Sequence, residues 1–187
     1  MNEPRLRLFF ALWPPPELAH RLQHVARALF DRRQARLLQR EQLHLTLVYL
    51  GPTDAERRAC AGHVADEVRA EAFTLCFSRL GFWSRPRVGW IAPDSSPPPL
   101  LALVSQLRQG LGECGFPIDP RPWQAHLTLA RKLRRPPLRE GLEPPLLWPV
   151  DEFVLVESQT RPSGAEYRIL QRWPLIGQDP QENHRLR

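Results

Sequence analysis

The sequence predicts an α+β fold with mainly antiparallel sheets. Strand-like and helix-like segments alternate along the 187 residues, but without the even spacing that βαβ units of a parallel sheet require. Several strand pairs are separated by short turns, which is typical of hairpins. The length fits one domain or two small, closely packed lobes, and 42% hydrophobic residues are enough for a real core.

The N-terminal third contains two predicted strands and a helix. Residues 6–13 (LRLFFALW) form an apolar run that is ended by the three prolines at 14–16, as expected of a buried strand. Residues 17–30 carry apolar side chains at helical spacing. After an arginine-rich connection, residues 43–50 (LHLTLVYL) predict a strand that stops at Gly51-Pro52.

A capping box predicts the next helix. Thr53 and Glu56 have the spacing with which a threonine and a glutamate cap each other's backbone, and the helix should run to about residue 69. Two strands, at 73–80 and 87–92, should then pair through the turn between them. The remaining predictions are a helix at 100–114 with Gly115 as its C-cap, a strand at 125–131, a proline-rich connection at 134–149, and closing strands at 152–158 and 166–173.

Composition limits the class of protein. No apolar run reaches the roughly 20 residues that span a bilayer. The short apolar run at 8–13 ends in prolines instead of a signal-peptide cleavage site, so we expect a cytoplasmic protein. Cys60, Cys76 and Cys114 are odd in number and far apart, so we expect inert thiols and neither a disulfide nor a zinc site.

The charge balance is basic. The chain has 26 Lys and Arg against 20 Asp and Glu, with Lys132 as its only lysine. Guanidinium groups suit phosphate, which favours a polyanionic partner. A GC-rich genome explains the same arginine, alanine and proline content equally well, so charge alone leaves nucleic-acid binding open.

One motif is repeated. The tetrad His-Leu-Thr-Leu occurs at 44–47 and again at 126–129, once in each half of the chain. With this composition about 0.03 copies of His-apolar-Thr-apolar are expected by chance. Both copies lie in predicted strands, where alternating side chains put the His and Thr on one face and both leucines on the other. The leucines should be buried, which leaves the polar pairs for a cleft.

Two imidazoles and two hydroxyls around one cleft fit the chemistry of a phosphodiester. In-line displacement needs a base for the nucleophile and an acid for the leaving oxygen, and histidine serves both roles near neutral pH. Threonine hydroxyls can hold the non-bridging oxygens. This proton transfer requires no metal or other cofactor. The alternative is that each His is structural and each Thr reflects strand propensity, which is harder to sustain for two copies than for one.

The tetrads and their flanks resemble a known family. The doubled pattern is similar to the signature of the two-histidine phosphoesterases, and several segments resemble the RNA 2′,3′-cyclic phosphodiesterases of that superfamily, also called the 2′-5′ RNA ligase family. These segments cover almost the whole chain except the tail: 5–12 (RLRLFFAL), 43–51 (LHLTLVYLG), 81–83 (GFW) with 87–90 (RVGW), 126–132 (HLTLARK), and 157–158 (ES) with 167–170 (YRIL).

The resemblance implies a single bilobal domain over residues 1–176, with a frayed tail at 177–187. Each of two similar lobes would be an antiparallel sheet backed by helices, with the active site in the cleft between them. It implies hydrolysis of RNA 2′,3′-cyclic phosphate ends, or of small cyclic nucleotides, to 2′-phosphates. His44 would be the proton donor and His126 the proton acceptor, with Thr46 and Thr128 on the phosphate.

Other residues are weaker candidates. Arg131 resembles the family's nucleotide-contacting arginine, and we expect it on the face of His126 and Thr128 only if the strand stays regular. Trp83, in a hairpin tip, could stack on a base. Phe10 is expected in the core. The remaining histidines, at 20, 24, 63 and 184, are expected on the surface, and the protein is expected to be a monomer.

Three alternatives stay open. The same site run in reverse would join a cyclic phosphate end to a 5′-hydroxyl. A noncatalytic RNA- or nucleotide-binding module would keep the cleft but not the turnover, and the intact His and Thr pairs count against it. An enzyme of the same superfamily could act on another substrate, such as ADP-ribose cyclic phosphate.

Overall fold

The structure, a computed structural model, describes residues 5–30, 33, 35–137, 140–161 and 164–177. The predicted tail therefore lies outside the described residues, except for Gly177. The helices are α1 (Pro16–Leu29), α2 (Ala55–Asp66) and α3 (Pro98–Glu113), with a short 3-10 turn at Arg40–Gln42. The strands are β1 (Leu6–Leu12), β2 (Arg36–Leu37), β3 (Leu45–Thr53), β4 (Phe73–Trp83), β5 (Val88–Pro93), β6 (Leu127–Arg131), β7 (Gly141–Val150), β8 (Glu152–Arg161) and β9 (Gly164–Pro174).

The strands form one antiparallel sheet in the order β7-β4-β5-β6-β3-β1-β8-β9, with β2 beside β6. The α+β fold class is confirmed. The two lobes correspond to the two four-stranded halves of this sheet, β7-β4-β5-β6 and β3-β1-β8-β9. They meet where Leu45 on β3 pairs with Leu127 on β6. The domain limits at 1–176 stay a prediction.

The helices cover one face of the sheet. α1 contacts β2 and β6, and α3 contacts α2 and β3. A helix from each half of the chain therefore packs against the strand that carries the tetrad of the other half. The four tetrad leucines are buried in this core, at 0–2% exposure: Leu45, Leu47, Leu127 and Leu129. Their predicted burial is confirmed, as is that of Phe10. The polar residues of the tetrads are thereby turned toward the opposite face.

One predicted connection was wrong. Residues 141–150 form strand β7, which pairs with β4 from Phe73 to Arg79. The segment contains three prolines, and a proline removes a ladder donor. β7 is an edge strand, however, so only one of its sides needs to hydrogen-bond, and the edge is where a sheet accommodates proline.

The start of α2 also differs from the prediction. β3 continues through Gly51, which has a φ of +74°, and ends at Thr53 instead of stopping at Gly51-Pro52. The Thr53 hydroxyl donates to the Gly51 carbonyl at 3.0 Å and does not cap the helix. The cap is Asp54, whose carboxylate accepts from the backbone N–H of Arg57 at 2.9 Å. A carboxylate there satisfies a free donor of the first turn.

The expectation of three free thiols was wrong for two of them. Cys60 on α2 and Cys114, which follows α3, form a disulfide with their Cα atoms 6.1 Å apart. They are separated by 54 residues, so no local spacing indicates the pair. Cys76 is a free thiol. Among the helices that the structure describes, none is both long and apolar enough to cross a membrane.

Candidate active site

Matching bulges shape the two tetrad strands. In β3, Thr46 pairs with Ala11 and Val48 with Phe10, so Leu47 is an extra residue in the ladder. In β6, Thr128 pairs with Trp90 and Ala130 with Gly89, so Leu129 is the extra residue there. A bulge lets one more residue enter the strand and shifts the alternation of faces after it.

The bulges decide which later residues share the face of the histidines. Arg131, five residues after His126, lies on that face because Leu129 is bulged, whereas regular alternation would put it with the leucines. The prediction placed Arg131 on this face only if the strand stayed regular. That condition was wrong, because the bulge at Leu129 is what puts Arg131 on this face. Tyr49 lies five residues after His44, is 54% exposed, and reaches the same face through the bulge at Leu47.

Both histidines are held by the same backbone hydrogen bond. The Nδ1–H of His44 donates to the Gln42 carbonyl at 2.8 Å, and the Nδ1–H of His126 donates to the Gln124 carbonyl at 2.9 Å. A carbonyl only accepts, so the proton of each neutral ring must be on Nδ1. Nε2 is then the atom of each ring that is left to take or give a proton.

Aromatic rings surround His44. Trp13 stacks on it with ring centres 5.6 Å apart and planes 4° apart, Phe9 lies at 4.8 Å, and Tyr167 meets it edge-on at 5.0 Å. Burial lowers the pKa of His44 from 6.5 to about 4, and the Gln42 carbonyl only partly opposes this. The positive charges of Arg131 and His126 lower the pKa further. In the free protein His44 is therefore neutral near pH 7.

His126 has a more open environment, with one aromatic ring in contact with it among the described residues. Trp83 meets its ring edge-on at 4.5 Å, and Trp90 supports Trp83 at 5.5 Å. Gly81 makes room for this arrangement, since a Cβ there would lie 2.1 Å from the Trp90 ring. Burial lowers the pKa of His126, the Gln124 carbonyl raises it, and Arg131 lowers it.

All of the predicted site residues except Thr128 line two adjoining clefts. A cleft of about 410 Å³ is lined by His44, Thr46 and Arg131, among others. A larger one of about 880 Å³ is lined by His126, Thr46 and Trp83, among others. Thr46 and Tyr49 line both clefts, so they mark the junction. Thr128 is half-buried and is not among the described residues that line either cleft.

Sequence reasoning missed the rings around His44 and the exposed Tyr49. Phe9 and Trp13 lie on the predicted first strand and its end, and period-two alternation alone places both on the face opposite Phe10. For Tyr49 the signal was its spacing from His44, which equals that of Arg131 from His126. In the described part of the chain, no group of three or more His, Cys, Asp or Glu is arranged to hold a metal ion.

Comparisons of the sequence and of the structure with known proteins point to the same superfamily. RNA 2′,3′-cyclic phosphodiesterase of Escherichia coli K12 is 33% identical over 178 residues, covering 94% of this chain and 99% of the relative. The enzyme of the same name from Thermus thermophilus is 32% identical over 193 residues, covering 95% and 94%. The crystal structure of E. coli LigT in apo form superimposes with a TM-score of 0.84 at 31% identity, covering 93% of this chain and 99% of LigT. Residues 14–162 match the 2′-5′ RNA ligase superfamily, and the chain belongs to that superfamily.

Proposed function

We propose that this protein hydrolyses RNA 2′,3′-cyclic phosphodiester ends to 2′-phosphomonoesters through an acid–base pair formed by His44 and His126. The observation that carries the proposal is a pair of imidazoles whose two clefts share Thr46. Each ring has Nδ1 bonded to a carbonyl, and its Nε2 has no hydrogen-bond partner among the residues that the structure describes. The curated relatives that carry the name RNA 2′,3′-cyclic phosphodiesterase support it, as does an E. coli LigT structure in complex with 3′-AMP.

The reaction is a single in-line displacement. Nε2 of His126 takes a proton from water as the water oxygen bonds to phosphorus. The bond from phosphorus to O3′ breaks, and O3′ takes the proton from Nε2 of His44. The product carries a 2′-phosphate and a free 3′-hydroxyl, and the two histidines then exchange their extra proton with solvent. Neither ring can do both jobs at once, because the attacking and leaving oxygens lie on opposite sides of phosphorus.

The low pKa of His44 sets a condition on its role. A proton donor must be charged when the substrate is bound, whereas burial keeps His44 neutral in the free protein. The phosphodiester brings a negative charge next to Nε2, which favours the imidazolium form. An imidazolium that depends mainly on the charge of the substrate, with partial help from the Gln42 carbonyl, gives up its proton readily as negative charge develops on O3′.

The remaining residues hold the phosphate and the base. Hydroxyl donors from Thr46 and Thr128 would bind the non-bridging oxygens as charge develops. The Arg131 guanidinium would add a fixed positive charge, since it already influences both imidazoles electrostatically. Trp83, whose ring meets that of His126 edge-on, would contact a nucleobase.

A product-mapping assay tests the function. The protein is incubated in excess EDTA with an oligoribonucleotide that ends in a 2′,3′-cyclic phosphate. We expect complete conversion to the 2′-phosphate. A loss of activity in EDTA that Mg²⁺ or Zn²⁺ restores would contradict the metal-independent mechanism, and a 3′-phosphate product would contradict the proposed order of acid and base.

The reverse reaction is a second candidate, favoured by the superfamily to which the chain belongs. A 5′-hydroxyl in place of water would attack the cyclic phosphate and form a 2′-5′ linkage. Hydrolysis should dominate because water is far more abundant than RNA ends. Ligation should therefore be measurable only at high concentrations of a 5′-hydroxyl strand.

A further inference from the structure

We propose that the side-chain amide of Gln42 is the positioning group for His44. It joins the turn that carries the Gln42 carbonyl to the start of β9, and so holds two partners of the His44 ring: the carbonyl on Nδ1 and the edge of Tyr167. The inference rests on the proposed function, because it concerns the residue that we propose as the proton donor. Gln42 itself neither takes nor gives a proton.

The carbonyl that binds His44 belongs to a turn with little support of its own. Gln42 is the last residue of the 3-10 turn, and its backbone N–H donates to the Gln39 carbonyl at 2.9 Å. Hydrogen bonds of this 3-10 type have poorer geometry than those of an α-helix, and the turn is only three residues long. The position of its carbonyl therefore depends on additional contacts.

The Gln42 amide supplies such contacts at both of its ends. Its Oε1 accepts from the backbone N–H of Gln39 at 3.1 Å, and its Nε2 donates to the Ala165 carbonyl at 2.8 Å. A reversed amide would set its NH2 group against an N–H and its oxygen against a carbonyl, so these partners select one orientation. Gln42 and Ala165 are 123 residues apart, so the second bond joins the turn to a distant part of the chain.

The bond to Ala165 also bears on the aromatic wall of His44. Ala165 is the second residue of β9, and Tyr167 follows two residues later on the same face of the strand. The Tyr167 ring meets His44 edge-on at 5.0 Å and Phe9 at 5.5 Å. Because the amide fixes the start of β9, it also fixes the strand from which Tyr167 projects. His44 is thus held from two sides by one side chain.

The second histidine lacks this support. Gln124 precedes His126 by two residues, as Gln42 precedes His44, and its carbonyl makes the same bond to Nδ1. Gln124 is exposed, however, and its amide makes no hydrogen bond with any residue that the structure describes. The two glutamines therefore differ in their side chains and agree in their backbone role, which makes Gln124 a matched control.

Gln42 also lines the smaller cleft, so a direct contact with the substrate has to be distinguished from positioning. A contact would act only when the substrate is bound, and chiefly on KM. Positioning acts on His44 in the free protein. It also affects only those substrates whose leaving group needs the proton of His44.

The first measurement is the tautomer of His44 in the free protein. Gln42→Met keeps the length of the side chain and removes both amide hydrogen bonds. By ¹⁵N NMR at pH 7.5 (about one pH unit above the ordinary pKa of histidine), the wild-type ring should carry its proton on Nδ1. In Gln42→Met we expect a mixture of Nδ1 and Nε2 forms, with the ratio shifted by roughly fivefold for one weakened hydrogen bond.

Two further variants make this result specific. Gln124→Met is the same substitution at the position without amide contacts, and it should leave the His44 signals unchanged. Gln42→Ala removes the amide without adding a side chain that must fit the half-buried turn, so it gives the answer if the methionine variant does not fold. An unchanged His44 tautomer in the Gln42 variants would overturn the proposal.

The second measurement compares leaving groups. On an RNA that ends in a 2′,3′-cyclic phosphate, Gln42→Met should reduce kcat by about tenfold to a hundredfold, as expected of a misplaced catalytic group. On a nitrophenyl phosphodiester, whose leaving group needs no proton, the loss should be less than about twofold. Equal losses on both substrates would show a general effect on the cleft, and a rise in KM alone would show a substrate contact. Either result would overturn the proposal.

Failure of the proposed function is distinguishable from failure of this inference, because the NMR measurement needs no turnover. If the wild-type protein hydrolyses neither substrate, but the His44 tautomer depends on Gln42 and not on Gln124, the positioning stands and the enzymatic proposal fails. If the tautomer does not respond to Gln42, the positioning is wrong whatever the activity of the protein.

Discussion

Leu45 and Leu127 form the antiparallel pair at which the two halves of the sheet meet. Both leucines are the second residues of their tetrads, so this pair brings the two tetrads side by side. Thr46 of the first tetrad lines the cleft of His44 and also the cleft of His126 of the second tetrad. The site is built from both halves at once, and a substitution in one tetrad should affect the chemistry of the other.

The threonines provide the first prediction. Thr46→Val and Thr128→Val should each reduce kcat by tenfold to several hundredfold, about the effect of losing one donor to transition-state charge. Thermal unfolding should change little, because valine keeps the β-branched shape. Thr46 lines both clefts, so we expect the larger loss there. Wild-type rates in both variants would show that these hydroxyls do not reach the substrate.

The hydrogen bonds of the histidines predict their tautomers. In the free protein at pH 7.5 (about one pH unit above the ordinary pKa of histidine), ¹⁵N NMR of the imidazoles should show His44 and His126 protonated on Nδ1 and unprotonated on Nε2. The resonances of the two rings are assigned with His44→Ala and His126→Ala. A proton on Nε2 of either ring would mean that its carbonyl bond is not formed in solution.

Gly81 predicts a packing effect that reaches the site. A Cβ at this position would lie 2.1 Å from the Trp90 ring. Gly81→Ala should destabilise the protein by about 1–3 kcal/mol, as is usual for an overpacked site. It should also lower kcat/KM, because Trp90 supports the ring that contacts His126.

A second glycine provides the control. Gly62 lies within α2, and a Cβ there would meet no atom within 4 Å. Gly62→Ala should stabilise the protein by about 0.5–1 kcal/mol, because alanine is the better helix former. Urea denaturation of both variants measures the two effects. Equal stability changes of the same sign would contradict the contact between Gly81 and Trp90.

The pKa of His44 predicts how stability depends on pH. Its pKa is about 4 in the folded protein and 6.5 for an unperturbed histidine. Between these values the unfolded chain binds a proton that the folded protein excludes, so stability falls as the pH falls from about 6.5 to 4. The contribution lost between pH 7 and pH 4.5 is roughly 2 kcal/mol.

Replacing His44 should remove that contribution. His44→Ala should lose roughly 2 kcal/mol less stability than the wild-type protein between pH 7 and pH 4.5. Urea denaturation at the two pH values measures the difference, and His63→Ala on α2 is the surface control. The same loss in wild type and His44→Ala would show that the ring is not buried as described.

The fold class and the polar face of the tetrads could be predicted because both depend on local periodicity. Alternation in a strand puts His44 with Thr46 and buries Leu45, whatever the rest of the chain does. Arg131 and Tyr49 could not be placed in this way. Their orientation depends on bulges at Leu129 and Leu47, and a bulge reflects the pairing with a neighbouring strand.

Other errors also come from tertiary context. The prolines of β7 argue against a strand until the segment is known to be a sheet edge. The disulfide joins cysteines whose helices are brought together only by the fold. The aromatic ring contact between Tyr167 and His44 spans more than a hundred residues. No local pattern contains that information.

The division of labour between the histidines is the central claim, and the leaving group tests it most directly. The measurement is kcat/KM of His44→Ala and His126→Ala on two substrates: an RNA cyclic phosphate, and a nitrophenyl phosphodiester whose leaving group needs no protonation. Both variants should lose several orders of magnitude on the RNA, because each lacks one of two proton transfers. On the nitrophenyl ester His44→Ala should be largely restored, whereas His126→Ala should stay inactive. The opposite pattern would exchange the two roles, and equal defects on both substrates would contradict acid–base catalysis by this pair.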